Sequence, residues 1–194
     1  MDSKVINAFA LPGGKVFISR ELMSRLENEA QMAGVLGHEI GHVVAQHIGK
    51  QMTRQTWIQI GAEGIGIATK SGTAKTGAEV AGGVVLLKYS REQELEADRY
   101  GMEYMYRAGY QPGQMRKVME ILKAAGGGGG LEMLSTHPNP DSRIQQSRKL
   151  LKEKYPDTRN SPSYELGEEA YRYNVLGRLS QLPPPPDAKK KKEK

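Results

Sequence analysis

Residues 38–42 read His-Glu-Ile-Gly-His, and everything else in the chain is read outward from them. Two histidines four residues apart project from one face of an α-helix. Two imidazoles so placed can bind one Zn²⁺, and the Glu between them stands one step off that face, within reach of a water at the metal. The pattern therefore nominates His38 and His42 as metal ligands and Glu39 as a general base. The competing reading is a polar helix face on which the histidines coincide.

The flanking sequence is helical. Asn28 is a suitable N-cap with Gln31 three residues on, as in a capping box. From Ala30 the chain runs without proline past Gln51, and Val35, Leu36, Ile40, Val43, Val44 and Ile48 recur at helical spacing as an apolar face. Gly34, Gly37 and Gly41 each cost a helix about 1 kcal/mol against Ala. Close approach by another segment or by a substrate is one reason to tolerate them.

Composition bounds the rest. A chain of 194 residues can bury one real core. With no cysteine there is neither a disulfide framework nor a Cys-type zinc site. The net charge of +6 comes mostly from the lysine run at residues 189–194, so no nucleic-acid partner is expected; peripheral contact of that run with acidic lipid headgroups stays open. No 18-residue apolar run and no signal-peptide h-region is present.

Residues 4–10 and 15–19 predict two short strands around Leu11-Pro12-Gly13-Gly14. Residues 58–87 read as two helical pieces with a mobile loop at Lys70–Thr76, or alternatively as a membrane-dipping hairpin. Ser90, with Gln93 as capping-box partner, opens a helix that stops at Gly109. Pro112 is expected to be the first residue of the next, which ends before the five glycines at 126–130. Helices are expected over 142–154 and, amphipathic, over Tyr164–Leu179. Residues 183–194 are expected to be disordered.

A third metal ligand is required. The H-E-x-x-H-x-x-G-x-x-H form is excluded, because Ala45 and Ile48 stand at its later positions. His47 lies about 180° around a continuous helix from His38 and reads as a solvent or packing residue. Residues 90–98, SREQELEAD, offer Glu92, Glu94 and Glu96. Glu94 is favoured because Asp98, four residues on, is placed to accept a histidine N–H. An acidic face paired with Arg91 and Arg99 is the alternative.

Three blocks, HEIGH at 38–42, SREQELEADRYGMEYMYRAGYQP at 90–112 and STHPNPDSRI at 135–144, resemble the signatures of the HtpX and CAAX prenyl protease family of zinc metallopeptidases. The soluble BepA-like and mitochondrial Oma-type branches are most similar in appearance, over roughly residues 5–150. The resemblance implies an α+β fold, mainly helical and zincin-like, with a short β-hairpin or small sheet beside the zinc helix. It implies one Zn²⁺ per chain held by His38, His42 and Glu94, supported by Asp98 and Arg143. It places His137, in the Ser135–Ile144 block, near the zinc, either donating to the oxyanion or filling zinc's fourth position at rest. It places Asn7, Ala8 and Phe9 on an edge strand that pairs with an extended substrate. The family's usual helix and strand ahead of that strand are not found, nor are the membrane spans of the HtpX and prenyl-protease branches, nor tetratricopeptide repeats.

The domain expectation is a catalytic unit at 1–155, a helical extension at 156–182 and a Pro/Lys tail at 183–194. The expected function is a gluzincin-type zinc endopeptidase acting on extended or misfolded protein segments, in quality control at the periplasm or cell envelope. The alternative is a proteolytically silent or auto-inhibited module that holds extended chains. The oligomeric state is not legible.

Overall fold

A computed structural model describes residues 1–53, 78–81, 84–125, 132–138 and 140–185. The chain is α+β and mainly helical. Strands β1 (Ala8–Ala10) and β2 (Val16–Ile18) form an antiparallel hairpin in register Ala8↔Ile18, Phe9↔Phe17, Ala10↔Val16. Its turn uses Gly13 and Gly14 at φ 94° and 87°, a region that a side chain would strain. Helices α1 (Arg20–Arg25) and α2 (Glu29–Val44) follow. A second antiparallel pair, β3 (Ala78–Ala81) and β4 (Val84–Leu87), leads into α3 (Arg91–Arg107). Then come α4 (Gln114–Ala125), α5 (Glu132–Thr136) and α6 (Pro140–Lys154). The last helix starts at Glu168–Tyr171 and passes through a π turn at Arg172–Leu176 into Gly177–Ser180.

The caps are as the sequence predicts at α3, where Ser90 and Gln93 make both halves of a capping box. At α2 only half the box forms. Asn28 accepts from the Gln31 N–H, but the Gln31 side chain accepts from Glu27 N rather than from Asn28. Gly109 ends α3 at φ 78°, and α4 begins at Gln114, after a turn containing Pro112. Helix α6 takes Pro140 as its first residue and so starts two residues early. The last helix starts four residues late. Gly167 at φ 69° stands at its N-cap, and Glu165 is held in a bridge with Tyr110.

Three further expectations are corrected. Helix α2 does not run past Gln51. It stops at Val44, Gln46 takes φ 56°, and residues 47–53 form a separate helical segment. No Gly or Pro marks this break. The expected apolar face is also not the core face: Ile40 and Val44 are 42% and 53% exposed, while Gln31, Gly34, Val35, Gly37, His38, Glu39, Gly41 and His42 are buried. Finally, residues 78–81 and 84–87 are strands, not helix. The Gly-Gly pair at 82–83 between apolar runs is a hairpin signal. The loop at Lys70–Thr76, the five glycines at 126–130 and the lysine run lie outside the described residues. Among the described residues no helix is long and apolar enough to cross a membrane.

The glycines explain the inverted face. Helices α2 and α3 touch backbone to backbone. A Cβ on Gly37 would lie 3.0 Å from Gly101 Cα, and one on Gly41 would lie 2.9 Å from the Ala97 carbonyl oxygen. Buried Ala97 and Gly101 share a stripe of α3 with Glu94 and Asp98. The polar faces of the two helices are thus pressed together by their smallest residues. Apolar packing lies to either side. One cluster gathers Ile6, Ala8, Leu22, Leu26, Val35 and Tyr171, among others. The other is methionine-rich, with Met102, Met105, Met115 and Met119.

Candidate metal centre

Four buried side chains converge where α2, α3 and the α5–α6 turn meet: His38, His42, Glu94 and His137 each offer a ligand atom, all within 4.8 Å of one another. Nε2 of His42 is 3.0 Å from Nε2 of His38 and 3.3 Å from Oε1 of Glu94, and Nε2 of His38 is 3.7 Å from Oε2 of Glu94. Atoms bonded at about 2.0–2.1 Å to a tetrahedral ion stand about 3.3 Å apart. The observed separations bracket that edge, so these residues fit a metal. Three imidazole nitrogens and one carboxylate oxygen are donors that suit Zn²⁺ among the common divalent ions.

Two of the candidate ligands, His38 and Glu94, are braced from α3 and α6. Nδ1 of His38 is 2.8 Å from Asp98 Oδ1. Arg143 grips Asp98 with two donors, Nε to Oδ2 at 2.8 Å and Nη2 to Oδ1 at 2.7 Å, and its Nη1 lies 2.7 Å from Glu94 Oε2. Helix α6 carries Arg143 into the interior, where it is 4% exposed. An unpaired guanidinium there would cost several kcal/mol; two carboxylates offset that. Burial pushes the Glu94 carboxyl up, but the His137 imidazole and the Arg143 guanidinium outweigh burial and hold it well below the usual carboxylate range. Burial likewise pushes Asp98 up, and Arg143 again prevails. Burial holds the His42 imidazole well below its ordinary value, the neutral form in which a histidine ligates.

Glu39 is fully buried, and among the described residues neither of its carboxylate oxygens has a hydrogen-bond partner. Oε1 is 3.7 Å from Nε2 of His137. Buried carboxylate oxygens without partners are costly and call for an explanation. His137 itself sits with Nδ1 2.9 Å from Glu94 Oε1 and 3.1 Å from His38 Nε2. It is 1% exposed. Burial pulls its imidazole down, but Glu94 and Glu39 raise it above the ordinary value.

A model of peptidase family M48 matches residues 1–151. The chain belongs to peptidase family M48. Among its curated relatives, the mitochondrial metalloendopeptidase OMA1 of Arabidopsis thaliana is 32% identical over 143 residues, 74% of this chain and 29% of the relative. The β-barrel assembly-enhancing protease of Escherichia coli K12 is 33% identical over 154 residues, 74% of this chain and 32% of the relative. The OMA1 metalloendopeptidase of Saccharomyces cerevisiae is 34% identical over 151 residues, 75% of this chain and 43% of the relative. The chain thus spans between 29% and 43% of the length of these relatives. The family and its metalloendopeptidase members imply a metal cofactor, in keeping with the resemblance read from the three blocks.

The residues singled out in the M48 sequence fall into two places. His38, His42, Glu39, Glu94, Asp98, His137 and Arg143 are brought together in one buried cluster. Asn7, Ala8 and Phe9 lie in and beside β1, which packs against α2. Asn7 N–H donates to Ser19 Oγ, the Asn7 carbonyl accepts from Ser19 N, and Phe9 stacks on Phe17. With 7↔19 hydrogen-bonded, ladder alternation points the N–H and C=O of Ala8 to the edge opposite β2.

Two contributors escaped the sequence reading. His47, expected in solvent or in packing, is buried at 1% exposure, with Nδ1 2.8 Å from Nδ1 of His42. The angle counted along a continuous helix failed because Gln46 breaks it and re-aims residue 47. Tyr89 stacks on the His42 ring at 3.8 Å between centroids, and its N–H donates to the Thr136 carbonyl beside His137. A tyrosine just ahead of an N-cap carries no signal of such a role.

Proposed function

We propose that this chain is the catalytic region of a zinc-dependent endopeptidase, with His38, His42 and Glu94 holding one zinc ion and Glu39 as the general base. The observation that carries this is the pairing of a four-donor buried cluster with the Glu39 carboxylate, whose two buried oxygens have no hydrogen-bond partner among the described residues. When bound, the ion supplies the Lewis acidity that polarises a scissile carbonyl. Glu39 accepts a proton from the attacking water and delivers it to the leaving amine. Asp98, fixed by Arg143, keeps the Nδ1 proton on His38 and leaves its Nε2 free to ligate. Tyr89 holds the plane of the His42 ring.

His137 occupies the fourth corner of the cluster, and this supports a resting, self-blocked centre over an oxyanion donor in this conformation. The α5–α6 turn must move for substrate to enter. Casein cleavage tests both assignments. Glu39→Gln is expected to lower turnover by about 10²–10⁴-fold while keeping the metal. His137→Ala is expected to raise the basal rate. Cleavage by Glu39→Gln at the wild-type rate overturns the base; a slower His137→Ala enzyme returns His137 to the oxyanion.

The substrate is an extended or misfolded protein segment that adds to the edge of β1 opposite β2 at Ala8, since strand addition reads backbone rather than side chains. Ala8 is fully buried and the nearby Ile6 carbonyl accepts from Met133 N–H, so this edge must first be uncovered. A relative named for enhancing β-barrel assembly supports a cell-envelope setting. Ala8→Pro removes one edge N–H and is expected to lower kcat/KM with zinc retained. An unchanged kcat/KM in the folded variant removes this site.

A further inference from the structure

The bracing of His42 differs in kind from that of His38. Nδ1 of His38 meets a carboxylate, whereas Nδ1 of His42 meets a second imidazole, Nδ1 of His47, at 2.8 Å. The other nitrogen of His47, Nε2, is 3.2 Å from Glu96 Oε2. Glu96 is 37% exposed, so this row of three groups runs from the metal cluster to the surface. Two neutral imidazoles facing each other nitrogen to nitrogen can share only one proton, and the question is which ring carries it.

Glu96 decides. A carboxylate only accepts, so the His47 nitrogen facing it must carry hydrogen. In the neutral ring that leaves Nδ1 of His47 as an acceptor. Nδ1 of His42 must then be the donor, and Nε2 of His42, which faces His38 and Glu94, keeps its lone pair. The reverse arrangement would place a lone pair of His47 against the carboxylate and a proton on the ligating nitrogen of His42. The geometry points to His47 as a positioning residue for the metal centre, which with Glu96 behind it sets the tautomer and aim of His42. The positive φ of Gln46 is what makes this possible. It ends α2 at Val44 and turns the chain so that His47 folds back under His42.

The inference rests on His42 being a ligand, and the test keeps the two claims apart. The full chain is stripped of metal, and zinc affinity is measured by competition with a chromogenic chelator. Co²⁺-loaded samples report ligand geometry through their visible absorption. Wild type, His47→Phe, His47→Asn and Glu96→Ala are compared, with folding checked by circular dichroism. His47→Phe removes the acceptor and is expected to bind zinc about 10–100-fold more weakly, with an altered cobalt spectrum. His47→Asn restores a carbonyl acceptor near the position of Nδ1 and is expected to recover most of the affinity and the wild-type spectrum. Glu96→Ala, at a partly exposed position that tolerates truncation, is expected to weaken zinc less than His47→Phe does. Wild-type affinity and spectrum in His47→Phe overturn the inference. So do equal losses in His47→Phe and His47→Asn, which would mean packing rather than hydrogen bonding; if His47→Phe does not fold, His47→Asn and Glu96→Ala decide it. A wild-type chain that takes up no zinc overturns the metal reading itself, and this inference with it.

Discussion

Glu92, Glu94 and Glu96 stand within one turn of α3, and surroundings rather than residue type separate their roles. Glu92 is exposed at the helix start, Glu96 reaches His47, and only Glu94 is fully buried beside His42 and Arg143. Glu94→Gln is therefore expected to weaken zinc far more than Glu92→Gln or Glu96→Gln. Asp98→Asn replaces one acceptor oxygen by an amide that cannot accept and leaves Arg143 half-paired; it should cost about 10–100-fold in zinc affinity. Chelator competition across the four variants checks this, and equal affinity for wild type and Glu94→Gln contradicts the ligand assignment. At this scale much was legible. The His38/His42 spacing and the Glu94/Asp98 spacing are local helix geometry, readable from any sequence. Arg143 and His137 came only through resemblance, because spacing along a chain says nothing of contacts 45 or 43 residues apart.

At the scale of elements, the site depends on how closely α2 and α3 approach. Gly41→Ala would put a Cβ 2.9 Å from the Ala97 carbonyl oxygen, against backbone that has no rotamer to yield. Overpacking of this kind costs about 1–3 kcal/mol, offset in part by up to about 1 kcal/mol of helix propensity. A net loss in denaturant unfolding, with weaker zinc binding as Glu94 is pushed off, is expected. A Gly41→Ala chain as stable as wild type would mean the helices are not held by this contact. The sequence pointed correctly to close approach through the small residues of α2. It misplaced the apolar face, because hydrophobic periodicity assumes that a helix buries its greasiest side. Here α2 buries His38, Glu39 and His42 against α3 and leaves Ile40 and Val44 outward. The break at Gln46 was illegible for another reason: a non-glycine residue at positive φ is uncommon and leaves no compositional mark.

For the whole molecule, the described residues beyond the family match are built into the same body. The Tyr171 side chain is fully buried in the cluster that holds Ile6 and Leu22, its hydroxyl donates to the Met23 carbonyl, and Ala30 N–H donates to the carbonyl of Leu166 at the start of α2. The N-terminal hairpin, helix α2 and the C-terminal helix therefore share one core, and α2 carries His38 and His42 from that core into the four-residue cluster with Glu94 and His137. The central claim is that this centre, once loaded, hydrolyses peptide bonds. Stepwise addition of zinc to the metal-free full chain, with casein cleavage followed at each step, tests it most directly. The account predicts activity that is absent without metal, rises in proportion to zinc and saturates at one ion per chain, with Glu39→Gln binding the same single ion and staying silent. Cleavage by the metal-free chain, or a wild-type and a His137→Ala chain that each bind one zinc and cleave nothing, would contradict it.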